Sequence, residues 1–474
     1  MSRINLALLV LLVACSSPPP VATSPQSHRE GQTARPERIQ PSDGADIDPA
    51  VLQQLALDQV SSASAATGVD LELGADRPLL AIDVPRVARM TTTSFTFGDA
   101  RRGWITRLPM GGVIPSVAYG GGRVYVGGGF ETTAFYALDA RSGKMLWTRQ
   151  ALADNGPTAP SYLDEEVIFN TESCTLFVLD ARTGRTRWSR WLGDPTLAQP
   201  AVNFGLIFAS YPSDAGGQRL AGLRLKDGRT VWSRVVDGEL LTAPVVSGDS
   251  VYATTIRGSV YRFEATRGKR RWRSRIRATS APWVEGGKVY LGRDLREGRT
   301  RSEAQVVLDA ETGATVAVLR QARAPYLRDV PRSLDSWPKV WAFEGSRPLL
   351  VQGRLLDTMA GAVSATHPVS GQSLWRRRHG GTAARRTLTP PVVAGSQVVF
   401  ATREGAVYAL DVDTGMTVFA YDLKRRITSS PVVAHGWLYL SSNDGSVIAI
   451  EAGGAGLDGW HMWGGGPGHN GPRS

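Results

Sequence analysis

The chain has 474 residues, 42% of them hydrophobic, and a formal net charge of +11 at pH 7. The positive excess comes from arginines spread along the whole length and not from one tail, which favours acidic partners only weakly and gives no sign of a nucleic-acid ligand. Length alone would allow two or three ordinary domains, so the count has to come from internal organisation.

The first fifteen residues carry one Arg, an apolar run from Leu6 to Ala14, and then Cys15. That run is too short to span a bilayer, so residues 1–15 read as a signal peptide. Leu12-Val13-Ala14-Cys15 resembles a lipobox, the site at which bacterial lipoproteins are cut and acylated on the new N-terminal Cys; the plain alternative is a secretory signal with a chance Cys. By that resemblance Cys15 is the lipidation site, and Ser16 after it implies an outer-membrane anchor facing the periplasm. Acylation of Cys15 leaves Cys174 without a disulfide partner, and Cys174 reads as a buried, inert thiol on a strand. Residues 16–44 are rich in Pro, Ser, Gln and charge and predict a disordered tether. Residues 45–103 predict an N-terminal extension, with one short helix opening at Asp48-Pro49 and extended pieces over Pro78–Val84 and Thr93–Phe97.

From there the chain repeats itself. Leu176 to Trp188, LFVLDARTGRTRW, reads as strand, turn, strand, with alternating apolar residues before Asp180 and a left-handed position at Gly184. Copies occur at 137–147, 223–232, 262–272, 307–317, 364–375 and 409–419, each ending in Trp except for Ala317 and Phe419. Successive ends lie 41, 44, 40, 45, 58 and 44 residues apart. A period near 40–45 residues holding about four short strands predicts propeller blades. Pro115, Pro160, Pro200, Pro244, Pro282, Pro391 and Pro431 open the units, where a missing N–H is tolerated at the start of an innermost strand.

The units P-x-V-x-x-G-x-V-Y and G-x-V-Y-A-L-D-A-x-T-G-x-x-x-W resemble the PQQ-like propeller repeat, named for quinoprotein dehydrogenases. The resemblance implies an all-β, eight-bladed propeller of four-stranded antiparallel blades over residues 104–452, followed by a Gly-rich tail at 453–474. It also implies that Trp104, Trp147, Trp188, Trp232, Trp272 and Trp375 dock between blades. Seven copies are complete, the C-terminal unit lacks an outer strand, and Trp104–Leu108 lacks inner ones. Pairing of Trp104–Leu108 with Ile448–Ile450 is therefore expected to close the ring and remove its open edges.

The 58-residue interval carries its surplus around Arg320–Ser346, where Tyr326, Trp337 and Trp341 are either a partner-binding loop or the cap of a wider blade. Catalytic chemistry is hard to find. The family's enzymes carry two adjacent cysteines, calcium ligands and a catalytic Asp; here the adjacent pair is absent and no cofactor residue can be matched. The histidines are scattered, Gly120–Gly122 and Gly127–Gly129 stand between strands, and no nucleophile elbow occurs. Arg149, Arg190, Arg234 and Arg377 recur two residues after the blade Trp, either as edge protection or as a basic rim for an anionic surface. The expectation is a monomeric, lipid-anchored envelope scaffold with a protein partner and no cofactor. It is similar to the acylated propellers that support β-barrel insertion; the alternatives are a quinoprotein-like oxidoreductase and a surface adhesin or sensor.

Overall fold

The computed structural model describes residues 69–453, with interruptions at 99, 110–112, 130–131, 151–153, 194–198, 214–216, 298–299, 324–347, 360, 381–387 and 428, and beyond that only 457, 466, 468 and 469. Every regular element among them is a strand, and the strands form eight separate sheets. Each sheet is an up-and-down meander running outward from a short innermost strand. Six of these innermost strands begin on the residue after a Pro, at Ser161, Ala201, Val245, Trp283, Val392 and Val432, so the missing N–H falls just ahead of the ladder.

The second blade shows the pattern: Ser161–Leu163, Glu166–Phe169, Thr175–Asp180 and Thr186–Trp191 pair in order, each antiparallel to the last. Central strands read apolar on both faces because both faces are covered by neighbouring blades. In Thr175–Asp180, Leu176 and Val178 pack against the third blade, while Phe177 and Leu179 pack against the first. The core is thus a set of seams between blades and not a single interior mass. A meander also fixes which loops share a side: the turns after first and third strands lie on one face of the ring, and the turns after second strands and the blade-to-blade connections lie on the other.

The N-terminal part of the described chain supplies four strands: β1 (Val69–Glu72), β2 (Leu80–Ala81), β3 (Thr91–Phe97) and β4 (Arg101–Arg107). β4 pairs antiparallel with Ser446–Glu451, placing Ile105 opposite Ile448 and Trp104 opposite Ala449, as the sequence predicts; the strand begins at Arg101, three residues earlier than expected. Trp104, Ile105 and Leu108 are fully buried. The eighth blade is therefore built from both ends of the propeller sequence, and its innermost strand, Val432–Ala434, touches that of the first blade, Ala118–Gly120.

Three blades have more than the expected four strands. β1 adds in parallel to the outer strand Ser373–Arg378 of the sixth blade, β2 in parallel to Thr417–Asp422 of the seventh, and β3 antiparallel to β4 of the eighth. The expected extended pieces at 78–84 and 93–97 thus hydrogen-bond to the ring as fifth strands, with the regular part of the first reduced to Leu80–Ala81. The expected helix after Asp48 lies outside the described residues.

Candidate functional site

The repeated Trp residues sit at the seams between blades. The indole nitrogens of Trp104, Trp147, Trp188, Trp232, Trp272 and Trp375 donate to the carbonyls of Ala140, Ala181, Leu225, Ala265, Ala310 and Val412, each in the next blade, at 2.7–3.0 Å. Each ring also lies against the turn glycine of that blade. At Gly415, where φ is +66°, a Cβ would stand 2.5 Å from the Trp375 ring, so only glycine fits both the backbone and the neighbour. Each indole N–H is satisfied, and the rings of Trp104, Trp232, Trp272 and Trp375 are buried while those of Trp147 and Trp188 are half-buried.

The arginines two residues later act at the same seams. Arg190 Nη1 donates to Gly228 O at 2.6 Å, Arg377 Nε to Gly415 O at 2.6 Å, and Arg234 Nη2 to Arg267 O at 3.2 Å. In the eighth blade Thr106 Oγ1 takes this place, donating to Gly143 O at 2.7 Å. Three of the four arginines therefore satisfy turn carbonyls of the neighbouring blade, a use that neither edge protection nor a basic rim anticipates. Arg149 is exposed.

A second set of contacts, not foreseen from the sequence, ties connections to the turns on the opposite face. Asp237 accepts from Thr255 Oγ1 at 2.9 Å, from Ser259 Oγ at 2.6 Å and from Arg273. Burial opposes ionisation of Asp237, but the Ser259 and Thr255 hydroxyls and the Arg273 guanidinium outweigh it and hold the carboxyl below its ordinary range. Asp154 is held the same way by Ser173 and Thr171, and Asp444 by Ser442, Ser446 and Arg425. The signal available in the sequence was a recurring hydroxyl-x-x-Gly-hydroxyl turn, as in Thr255 to Ser259 and Ser442 to Ser446, with an acid near it.

Cys174 occupies the Gly position of this turn in the second blade. It is fully buried and has φ of +62°, where Gly258, Gly405 and Gly445 stand in other blades. It lies between strands and not on one as expected, because the turn needs a left-handed residue there. Its sulfur donates to Ser210 O at 3.7 Å.

Two features break the eightfold repetition. In the fifth blade the central strands Lys288–Glu297 and Thr300–Asp309 run ten residues each, longer than any other central pair. Polar residues buried on that side include Glu303, whose Oε1 accepts from Thr279, and Gln305, which donates to Asp357 at 2.8 Å. Tyr326, Trp337 and Trp341, in that connection, lie outside the described residues, as does Cys15. The other break is a cavity of about 300 Å³ lined by Arg77, Leu80, Phe97, Arg101, Phe419 and Tyr421 among others. It falls at the start of β4, beside Phe419, the seventh blade's counterpart of Trp375.

Described parts of the C-terminal tail lie on innermost strands. Val202 N donates to Gly468 O and Val246 N to His469 O, both at 2.8 Å, so the tail lies on the innermost strands of the third and fourth blades. Leu457 is buried, belongs to the same apolar cluster as Ala243, Val245 and Ala281, and accepts from Gly436 N at 2.8 Å. Most of the rest of the Gly-rich tail, including Trp460, Met462 and Trp463, lies outside the described residues. Among the described residues no group of three or more His, Cys, Asp or Glu is placed to hold a metal ion.

Comparison with solved structures shows the same fold. The crystal structure of BamB from Moraxella catarrhalis gives a TM-score of 0.54 at 19% identity, covering 76% of this chain and 98% of that one. A quinohemoprotein alcohol dehydrogenase from Comamonas testosteroni gives 0.52 at 13% identity over 74% and 76%. In sequence, the outer membrane protein assembly factor BamB of Shewanella oneidensis is 31% identical over 96 residues, which span 19% of this chain and 23% of that relative. The model of the family described as outer membrane protein assembly factor BamB matches residues 93–318 and 359–466, well over half of the sequence. The chain belongs to the outer membrane protein assembly factor BamB family.

Proposed function

We propose that this protein is a non-catalytic, protein-binding scaffold that works in outer-membrane protein assembly as a monomer. Cys15 carries the lipid that anchors it to the outer membrane, residues 16–44 hold the propeller off that surface, and the ring faces the periplasm. The observation that carries the reading is the family match over nearly the whole ring, from residue 93 to 466 with one gap. The ring geometry supports it. Seams latched by indoles and arginines make a stiff frame from which the long fifth-blade hairpin stands out, and Tyr326, Trp337 and Trp341, which follow that blade in sequence, are the candidate partner contacts. The lone buried Cys174 and the tail lying on the innermost strands give no support to the oxidoreductase alternative.

The test is mild crosslinking of the tagged, full-length protein in native membranes, followed by mass spectrometry of what is recovered. Recovery of β-barrel assembly proteins is expected. Absence of any envelope protein, together with quinone uptake and dye-linked alcohol oxidation by the purified protein, would replace the scaffold with an oxidoreductase.

A further inference from the structure

A sheet edge left unpaired exposes a row of N–H and C=O groups and invites another strand. In this ring the outer edges of the sixth, seventh and eighth blades are occupied by β1, β2 and β3. Among the described residues, nothing pairs with the outer strands of the first five blades. Those edges are not equally protected. The third residue after the blade Trp position is Gln150 in the first blade, Arg275 in the fourth and Arg320 in the fifth, but Trp191 in the second and Val235 in the third. Trp191 is 62% exposed, Val235 57%, and Val231, at the bulge earlier in the same strand as Val235, 52%. At this third position apolar side chains stand only in the second and third blades, while the exposed Leu146 of the first and Val316 of the fifth sit one residue before the blade Trp position.

The chain itself demonstrates what such an edge accepts. β1 reads Val69-Asp70-Leu71-Glu72 and lies on Trp375-Arg376-Arg377-Arg378 in register. Apolar residues alternate with acids, Asp70 pairs with Arg378 at 2.9 Å, and Asp76, just past the strand, pairs with the buried Arg377 at 3.3 Å. The outer strands of the second and third blades, Thr186–Trp191 and Thr230–Val236, repeat the Trp-x-Arg spacing of the sixth with Trp188-Ser189-Arg190 and Trp232-Ser233-Arg234. Arg187 and Arg234 are partly or fully exposed there. In the sixth blade the charge pair of Arg378 with Asp70 stands where these two blades carry Val235 and Trp191.

We infer that the outer edges of the second and third blades bind an extended segment of a partner protein, in which apolar residues alternate with acidic ones, by adding it as a fifth strand. Main-chain hydrogen bonds supply the pairing, apolar side chains cover Val231, Val235 and Trp191, and acids face the flanking arginines. One segment can serve both blades, just as residues 69–97 cross three. The inference deepens the scaffold reading by naming the chemistry of its partner and rests on it for physiological meaning.

The test uses the full chain in mild detergent and a fluorescent, soluble eight-residue peptide alternating Val with Asp and Glu. Its affinity is measured by anisotropy for the unchanged protein and for the Val231→Lys/Val235→Lys and Val316→Lys variants. All three positions are exposed, so the substitutions leave folding intact, which circular dichroism checks. Saturable binding, weakened at least tenfold by the Val231→Lys/Val235→Lys pair and unchanged by Val316→Lys on the fifth blade, is expected. An isotope-edited amide I band of a ¹³C-labelled peptide should report strand on binding. Absence of saturable binding, equal loss in both variants, or a bound peptide without strand signal overturns the inference. So does a dimer of this chain that the paired substitution dissolves, since the edge then takes a second copy. Recovery of assembly proteins by the Val231→Lys/Val235→Lys variant would leave the scaffold standing while peptide binding is lost, so the two readings fail separately.

Discussion

Removing residues through Leu108 takes away β4 and with it the closure of the ring. Phe97, Trp104, Ile105 and Leu108 are all buried to within 8% of complete, and Ile448, Ile450 and Val447 on the partner strand would lose their cover. Full burial of a large apolar side chain is worth about 1.5–3 kcal/mol, so these four alone contribute roughly 6–12 kcal/mol. That is comparable to the whole stability of an ordinary domain, about 5–15 kcal/mol. A chain beginning at residue 109 is therefore expected to lose its cooperative melting transition, while deletion of 16–44, whose composition cannot build a core, leaves the transition where it was. Differential scanning calorimetry of both truncations beside the full chain reads this directly. Adding a synthetic peptide of residues 88–109 to the shortened chain should restore the transition, because the missing strand binds through the register that closes the ring. A chain from residue 109 that melts within a degree or two of the parent refutes the closure argument.

Gly415→Ala places a Cβ against the Trp375 ring at a left-handed residue and should cost about 2–4 kcal/mol, read as a lower urea midpoint with unchanged slope. Asp237→Asn tests the stitched connections. A carboxyl held below its unfolded value of about 3.9 contributes stability that is complete above about pH 4 and is lost as pH falls through the folded value. The variant should therefore be less stable at neutral pH and lose less on acidification than the parent, as urea titrations across that range would show. Cys15→Ser should stall processing or move the protein out of the membrane fraction, since each buried acyl CH₂ contributes about 0.8 kcal/mol and the tether offers no apolar substitute; normal processing and pelleting would exclude acylation.

The blade repeat, the count of eight and the joining of the two ends could all be read from spacing, because each blade encodes its own strands and turn in contiguous residues. What escaped was held by residues distant in sequence. β1 is only four residues long and exposed along its length, and β2 has two residues, so nothing in Leu80-Ala81 announces a partner at Tyr421-Asp422. Arg190 and Arg377 looked like surface charge because their acceptors, the carbonyls of Gly228 and Gly415, belong to the next repeat. Cys174 reads as a strand residue because it is flanked by apolar runs, and its turn position shows only beside the positive-φ glycines Gly258, Gly405 and Gly445 of other blades. The long fifth-blade hairpin was hidden by an interval of ordinary length, since its extra residues lengthen strands without lengthening the repeat by much.

The pairing of β4 with Ser446–Glu451 also sets when the molecule can fold. Nearly the entire ring sequence lies between Ile105 and Ile448, so the contact that seals the circle has almost the greatest loop length the ring allows. Synthesis runs from the N-terminus, and β4 is made first while its partner is made last. Until the final blade emerges, the first blade has no neighbour on one side and Trp104 has no second seam wall. The polypeptide therefore stays open, and can be handed along as an unsealed chain, until its last strands arrive to lock the circle in one step.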